Sequence, residues 1–145
     1  MLSINDAAAA ILVHEDGRIL MQLRDDRPDI WYPNHWGLFG GGVEEGETPE
    51  EALCRELYEE LELVKKPGKL FAKFDFDLSP IGLGKAYRSY FEVHINSYDM
   101  NKIRIQECQE ARLLNISEVF AAHRVTPYDS FALKLFHDQK NFTNS

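Results

Sequence analysis

Glu56, Glu59 and Glu60 are the residues of this chain whose type and spacing best suit chemistry. On a helix turning about 100° per residue they fall within roughly a 100° arc, so the three carboxylates share one flank. Like charges at such spacing repel by about 0.2–0.5 kcal/mol per pair even in water. A hard divalent cation would offset that repulsion. Mg²⁺ takes oxygen ligands, often from only a couple of carboxylates, and fills its octahedron with water and substrate phosphate. From the three glutamates alone, a solvated acidic helix face is the competing account, and the high helix propensity of Glu favours it.

These residues need a helix to hold them, and the flanking sequence predicts one. Thr48 suits the N-cap, Pro49 the first helical position, and Glu51, three residues after Thr48, completes a capping box. Leu53, Leu57 and Leu61 make an i, i+4, i+8 stripe beside the carboxylates, which would seat the helix on a core. Upstream, Gly40-Gly41-Gly42 allows positive φ and a close approach of backbone to a ligand. An exposed carbonyl in such a turn would be a hard oxygen donor; a tight turn without a ligand is the alternative.

The register of these pieces carries more than any one of them. Gly41, Glu47 after five residues, Arg55-Glu56-Leu57 after seven more, Glu59-Glu60 after one, and the aliphatic Leu63 together resemble the signature box of the Nudix hydrolases. Trp36-Gly37-Leu38 and Gly40 resemble the segment that leads into it. Two positions depart from the pattern: Glu62 stands where the family usually has glycine, and Phe39 where many members have proline. The first bears on the C-terminal end of the helix more than on the carboxylates, all of which are present.

The resemblance implies an α/β fold, a Nudix-like α/β/α sandwich with a mixed β-sheet. It implies Mg²⁺, with Mn²⁺ able to substitute, held by Glu56, Glu59, Glu60, the Gly40 carbonyl and Glu107. The reaction implied is hydrolysis of a diphosphate linkage in a nucleoside triphosphate or nucleoside diphosphate derivative, with water attacking phosphorus. Glu56, Glu59 and Glu107 are the expected catalytic carboxylates, with Glu59 or Glu107 taking the proton; Glu110 stands second to Glu107 in the loop Gln106–Glu110. Gly41, Glu47 and Arg55 are expected to support the site, the last two as an ion pair that orients Glu56. A nucleoside diphosphate sugar as substrate, a nucleotide-binding module without turnover, and an acidic structural domain are the other readings.

Substrate contacts are sought in the loop before the box. Arg24 and Arg27 suit phosphate through bidentate bonds, or solvent as surface charge, and Arg24 is preferred because family members often contact substrate near the end of the second strand. The aromatic run Trp31–Trp36 packs over the core or stacks on a base, and Trp36 is taken as its substrate contact.

Alternation places the remaining elements. Residues 7–13 and 18–24 form a hairpin about Asp16-Gly17; residues 69–78 and 87–95 form a second hairpin about Pro80–Gly84; residues 111–115 form a short edge strand. Residues 96–108 read as loop, 117–120 as a short helix, and Thr126 as the start of a last helix whose apolar face is Phe131, Leu133, Leu135 and Phe136. Asn141 to Ser145 reads as a fraying polar tail.

Composition bounds the rest. The 145 residues suit one domain, 1–145, and the net charge of −8 argues against duplex nucleic acid as a partner. A small phosphorylated substrate is compatible, because bound metal inverts the sign of an acidic site. Two cysteines, Cys54 and Cys108, make neither a disulfide framework nor a metal site, and the dispersed histidines, His14, His35, His94, His123 and His137, have no zinc spacing. No apolar run reaches membrane-spanning length and no leader pattern opens the chain, so no membrane partner and a cytoplasmic protein are expected. A homodimer through a sheet edge is compatible with the pattern and is not selected by it. No nucleophile elbow, P-loop or Cys/His dyad supports covalent catalysis.

Overall fold

The apolar run from Ala7 becomes the central strand, β1 (Ala7–His14), in a computed structural model that describes residues 2–122 and 124–143. Asp16-Gly17 turns the chain as predicted: Gly17 sits at φ +92° and the His14 N–H donates to the Arg18 carbonyl at 2.8 Å. β2 (Ile19–Leu23) then runs back antiparallel, with Leu12 opposite Leu20. Both faces of β1 are covered, which accounts for its unbroken apolar sequence.

The chain next does what the glycines were not expected to do. Trp36–Gly37 forms β3 on β2, and Phe39–Gly42 forms β4 on the first half of β1, with Ala9 opposite Gly40. The three glycines are therefore strand, not a tight turn. Their value is close approach, because a Cβ on Gly40 (φ +149°) would lie 2.1 Å from the Ala8 carbonyl oxygen. Leu38 is the residue at which the sheet forks between β2 and β1.

The predicted capping box starts α1 (Pro49–Leu61): the Thr48 hydroxyl accepts from the Glu51 N–H at 3.1 Å and the Glu51 carboxylate from the Thr48 N–H at 3.0 Å. Leu53, Leu57 and Leu61 are fully buried. The helix ends at Glu62, in the left-handed conformation at φ 53° and ψ 29°, where its N–H caps the Leu57 and Tyr58 carbonyls. Such a conformation suits glycine and strains any residue with a Cβ. Glu62→Gly is accordingly expected to raise stability by about 0.5 kcal/mol, a melting shift of about 1–2 °C, despite the added freedom of the unfolded chain. A lower melting temperature would mean that the bond from Gln106 Nε2 to Glu62 at 3.0 Å outweighs the strain.

β5 (Leu70–Asp77) and β6 (Lys85–Ile95) make the second hairpin, and β6 lies parallel to β1, which renders the sheet mixed. Among the described residues the sheet has seven strands, ordered β3-β2-β1-β6-β5, with β4 on β1 and β7 (Glu110–Leu114) on β2. Residues 96–108 are not all loop. Asn96 caps α2 (Ser97–Lys102) through a reciprocal box with Asp99, and Lys65, just beyond the end of α1, pairs with Asp99 at 3.0 Å. α3 (Ile116–Ala122) and α4 (Pro127–Thr143) complete the chain; α4 continues through the start of the expected tail. His123, Asn144 and Ser145 lie outside the described residues.

Two cores result, one on each face of the sheet. Leu53, Leu57 and Leu61 of α1 pack on Ala8, Ala10, Leu20, Phe39 and Phe91, whereas Leu133 and Phe136 of α4 pack on Ala9, Ile11, Met21, Leu38 and Tyr90. This is an α/β/α sandwich. The apolar face of α4 is narrower than expected: Phe131 is 56% exposed and Leu135 is also exposed, while Ala132 is buried in their place. Among the described residues no helix is long and apolar enough to cross a membrane.

Candidate active site

The carboxylate flank of α1 faces β4, and the two elements fit because β4 lacks side chains there. A Cβ on Gly41 would lie 2.4 Å from the Glu56 Cδ, so only glycine lets this carboxylate approach the strand. One turn on, Glu60 is 4% exposed. Its Oε1 accepts from the Gly40 N–H at 3.3 Å and its Oε2 lies 3.5 Å from Gln22 Nε2. The Gly40 amide N–H thus faces the site.

Burial raises the Glu60 carboxyl far above the ordinary carboxylate range, with the charges of Glu56 and Glu107 adding to the effect. Glu56 is raised as well, again by burial, although Arg55 opposes it. The charge of Glu56, one helical turn away, bears on Glu60. Two ionised carboxylates buried side by side repel each other, so the pair favours a proton or, in its place, a cation.

Arg55 ties the surrounding acids together. Its guanidinium donates to Glu47 through Nε at 2.8 Å and Nη2 at 2.9 Å, to the Gly42 carbonyl through Nη2 at 2.9 Å, and through Nη1 to Glu56 at 2.9 Å and Glu59 at 3.3 Å. The hydrogen bond from Arg55 holds the Glu47 carboxyl well below its usual range. Glu47 also accepts from the Glu44 N–H at 2.9 Å, so one ion pair fixes the loop before α1 to the helix.

Glu59 is exposed and turned to Arg55. Glu107 is exposed on the loop before β7, close enough for its charge to bear on Glu60. That loop is fastened by the Gln106 N–H on the Glu60 carbonyl and the Gln109 N–H on the Leu23 carbonyl, each at 2.9 Å, and turns at Cys108 with φ 75°. Glu110 pairs instead with Arg112. Arg24 follows β2 directly and Trp36 opens β3. Arg24 Nε donates to the Trp31 carbonyl at 3.0 Å, which closes the loop after β2. Trp36 is 8% exposed in the core on the other face of the sheet, with the Arg112 guanidinium 5.4 Å from its ring centre.

Among the described residues no three of His, Cys, Asp and Glu are gathered closely enough to hold a metal ion as they stand. The donors nonetheless fit a hard cation. The neighbouring carboxyls of Glu56 and Glu60 are oxygen donors, the glycine strand leaves them room, and their burial beside each other marks the place where positive charge is wanted. Sequence reasoning missed Gln22 and the backbone fastening of the Glu107 loop. A polar residue on the face of β2 that carries Leu20 was the one available signal for the former.

The NUDIX domain family model matches residues 4–139. Over 42 residues the chain is 55% identical to the RNA pyrophosphohydrolase of Vibrio atlanticus (strain LGP32), a stretch that is 28% of this chain and 24% of that protein. Over 51 residues it is 51% identical to nucleoside triphosphatase NudI of Escherichia coli O139:H28 (strain E24377A / ETEC), covering 34% of this chain and 35% of that protein. The matches therefore span a quarter to a third of these curated relatives. A MutT protein structure from Methanosarcina mazei Go1 shares the fold, with a TM-score of 0.78 at 20% identity over 96% of both chains.

Proposed function

This chain belongs to the Nudix family, and on that premise we propose that it hydrolyses, with Mg²⁺, a diphosphate linkage in a nucleoside triphosphate or another nucleoside diphosphate derivative. The observation that carries the reading is Glu60, a carboxyl buried against the carboxyl of Glu56 where α1 meets the glycine strand. Glu56 and Glu60 would hold the ion, with the Gly40 carbonyl, Glu59 and Glu107 as further donors. When bound, the ion neutralises phosphate oxygens and orients water. Glu59 or Glu107, both open to solvent, takes the proton from the attacking water. Arg55 keeps Glu56 and Glu59 in place and braces the loop through Glu47. Arg24 is the proposed phosphate contact in the loop after β2.

The names of the two relatives, a nucleoside triphosphatase and an RNA pyrophosphohydrolase, favour a triphosphate over a sugar nucleotide. A panel of nucleoside triphosphates, nucleoside diphosphate sugars and dinucleotides, assayed for phosphate and pyrophosphate release in Mg²⁺ and in chelator, tests the proposal. Release that depends on the ion and is confined to part of the panel identifies the substrate class. Tight nucleotide binding with no release over hours in Mg²⁺ or Mn²⁺ would replace hydrolysis by binding alone.

The raised Glu60 carboxyl gives the ion a pH signature. The folded chain without metal keeps a proton that the unfolded chain releases above its ordinary value of 4.5. Stability without metal therefore falls as pH rises from there toward the folded value, and the stabilisation by Mg²⁺, which requires ionised carboxylates, grows over the same window. In chelator the melting temperature is expected to be lower at about pH 8 than at about pH 6, with Mg²⁺ narrowing the gap. A Mg²⁺-induced shift equal at both values would contradict a metal held by this pair.

A further inference from the structure

The fork at Leu38 leaves its peptide groups to side chains. β3 belongs to β2 and β4 to β1, so Leu38 lies between two ladders. Its N–H donates to Asp129 Oδ2 at 2.9 Å, and its carbonyl accepts from Gln22 Nε2 at 3.0 Å. Gln22 is a polar residue on the α1 face of β2, 7% exposed. Its backbone pairs with Gly37 on one side and Ala111 on the other. The orientation of its amide follows from the chemistry: Leu38 offers only an acceptor, so Nε2 must point to it, and the second hydrogen of that nitrogen is directed at Glu60 Oε2, 3.5 Å away. The other Glu60 oxygen accepts from the Gly40 N–H at 3.3 Å.

We infer that Gln22 is a positioning residue for the metal site, holding the Glu60 carboxylate in register with the glycine strand by bridging it to the Leu38 carbonyl. The inference rests on the proposed function, since it concerns the ion that Glu60 holds. Leu38 leads directly into Phe39 and Gly40 of β4, so one amide sets the separation between the Glu60 carboxylate and that strand. Without that bridge the donor left to Glu60 among the described residues is the Gly40 N–H, about which the carboxylate can rotate. A ligand so loosened binds its ion more weakly, as loss of an orienting partner does at other metal sites.

The test is Mn²⁺ binding measured by calorimetry on the full chain without nucleotide, for the wild type, Gln22→Met and Gln22→Asn. Methionine keeps the length of the side chain and removes the donors; asparagine keeps the amide but is one methylene too short to span both acceptors. The expected result is an affinity lowered about tenfold or more in the methionine variant and less in the asparagine variant. Melting in chelator is measured in parallel, and should methionine prevent folding, the asparagine variant decides. A lowered melting temperature with wild-type Mn²⁺ affinity would show that Gln22 only satisfies the Leu38 carbonyl, and would overturn the inference while leaving the proposed function standing. A wild-type chain that binds neither Mn²⁺ nor Mg²⁺ would overturn both.

Discussion

Glu60→Gln is expected to lower Mg²⁺-dependent turnover by about three orders of magnitude or more while the chain stays folded. The figure follows from the several kcal/mol of charge stabilisation that a bound ion supplies to a transferring phosphoryl group, at about 1.4 kcal/mol per tenfold in rate. Glutamine keeps the shape of the side chain and removes its charge. It still presents an oxygen to the Gly40 N–H, 3.3 Å from the present Oε1, and an amide to the neighbouring Glu56 carboxyl. The metal-free protein therefore keeps its melting temperature or gains a little, because glutamine is neutral at every pH and the cost of keeping a proton on a buried carboxyl above its ordinary range has been removed. What disappears is the stabilisation by Mg²⁺. Glu56→Gln is expected to act in the same direction, and it also turns the charged bond from Arg55 Nη1, now 2.9 Å from Glu56, into a weaker neutral one. Initial rates on a substrate taken from the nucleotide panel, with melting curves in chelator and in Mg²⁺, check both. Turnover near wild type in the two variants would remove the metal assignment.

Whatever in this site depends on local spacing could be read from the sequence. The capping box of Thr48 and Glu51 and the seating leucines 53, 57 and 61 are set by helical period, and the α/β/α arrangement came with the register of the glycine, glutamates and arginine. The hairpin at Asp16-Gly17 is equally local. What escaped was decided by contacts between distant segments. Gly40 to Gly42 carry no β-forming side chain, and they are strand because the alanines of β1 let a bare backbone come close. Gln22 gave only a polar residue on a core face, and its partner Glu60 lies 38 residues away. The short α2 did have a legible start in Asn96 and Asp99, hidden by the charged residues around it. Glu62 is instructive in the opposite sense. The departure from glycine noted in sequence falls on a left-handed residue, so the reason for the usual glycine is visible in its backbone angles.

Asp129→Ala is expected to be the most damaging single change to stability, at about 3–5 kcal/mol, or a melting temperature lower by about 10 °C. Asp129 is buried at the start of α4, where all four of its close partners are donors. Oδ1 accepts from the Tyr90 hydroxyl at 2.8 Å and from Arg88 Nη2 at 3.3 Å; Oδ2 accepts from the Thr126 hydroxyl and the Leu38 N–H, each at 2.9 Å. The Arg88 guanidinium, 4.7 Å from the centre of the Tyr128 ring, would keep its charge and lose its counter-ion. Most of the cost comes from that uncompensated cation and from a buried Leu38 N–H without an acceptor, more than from the net worth of the bonds themselves. A double-mutant cycle separates the two. Adding Arg88→Met to Asp129→Ala should recover a substantial part of the loss, because it removes the stranded charge, whereas Arg88→Met alone leaves Asp129 as the unpaired ion and costs a comparable amount. Additive costs would show that the pair is not coupled. The position of Leu38 gives the cycle a second readout. Its N–H is fixed by Asp129 and its carbonyl by Gln22, so the strand that brings Gly40 to Glu60 is anchored from both cores, and losing the Asp129 anchor should weaken Mn²⁺ binding even where enough stability remains for the chain to fold.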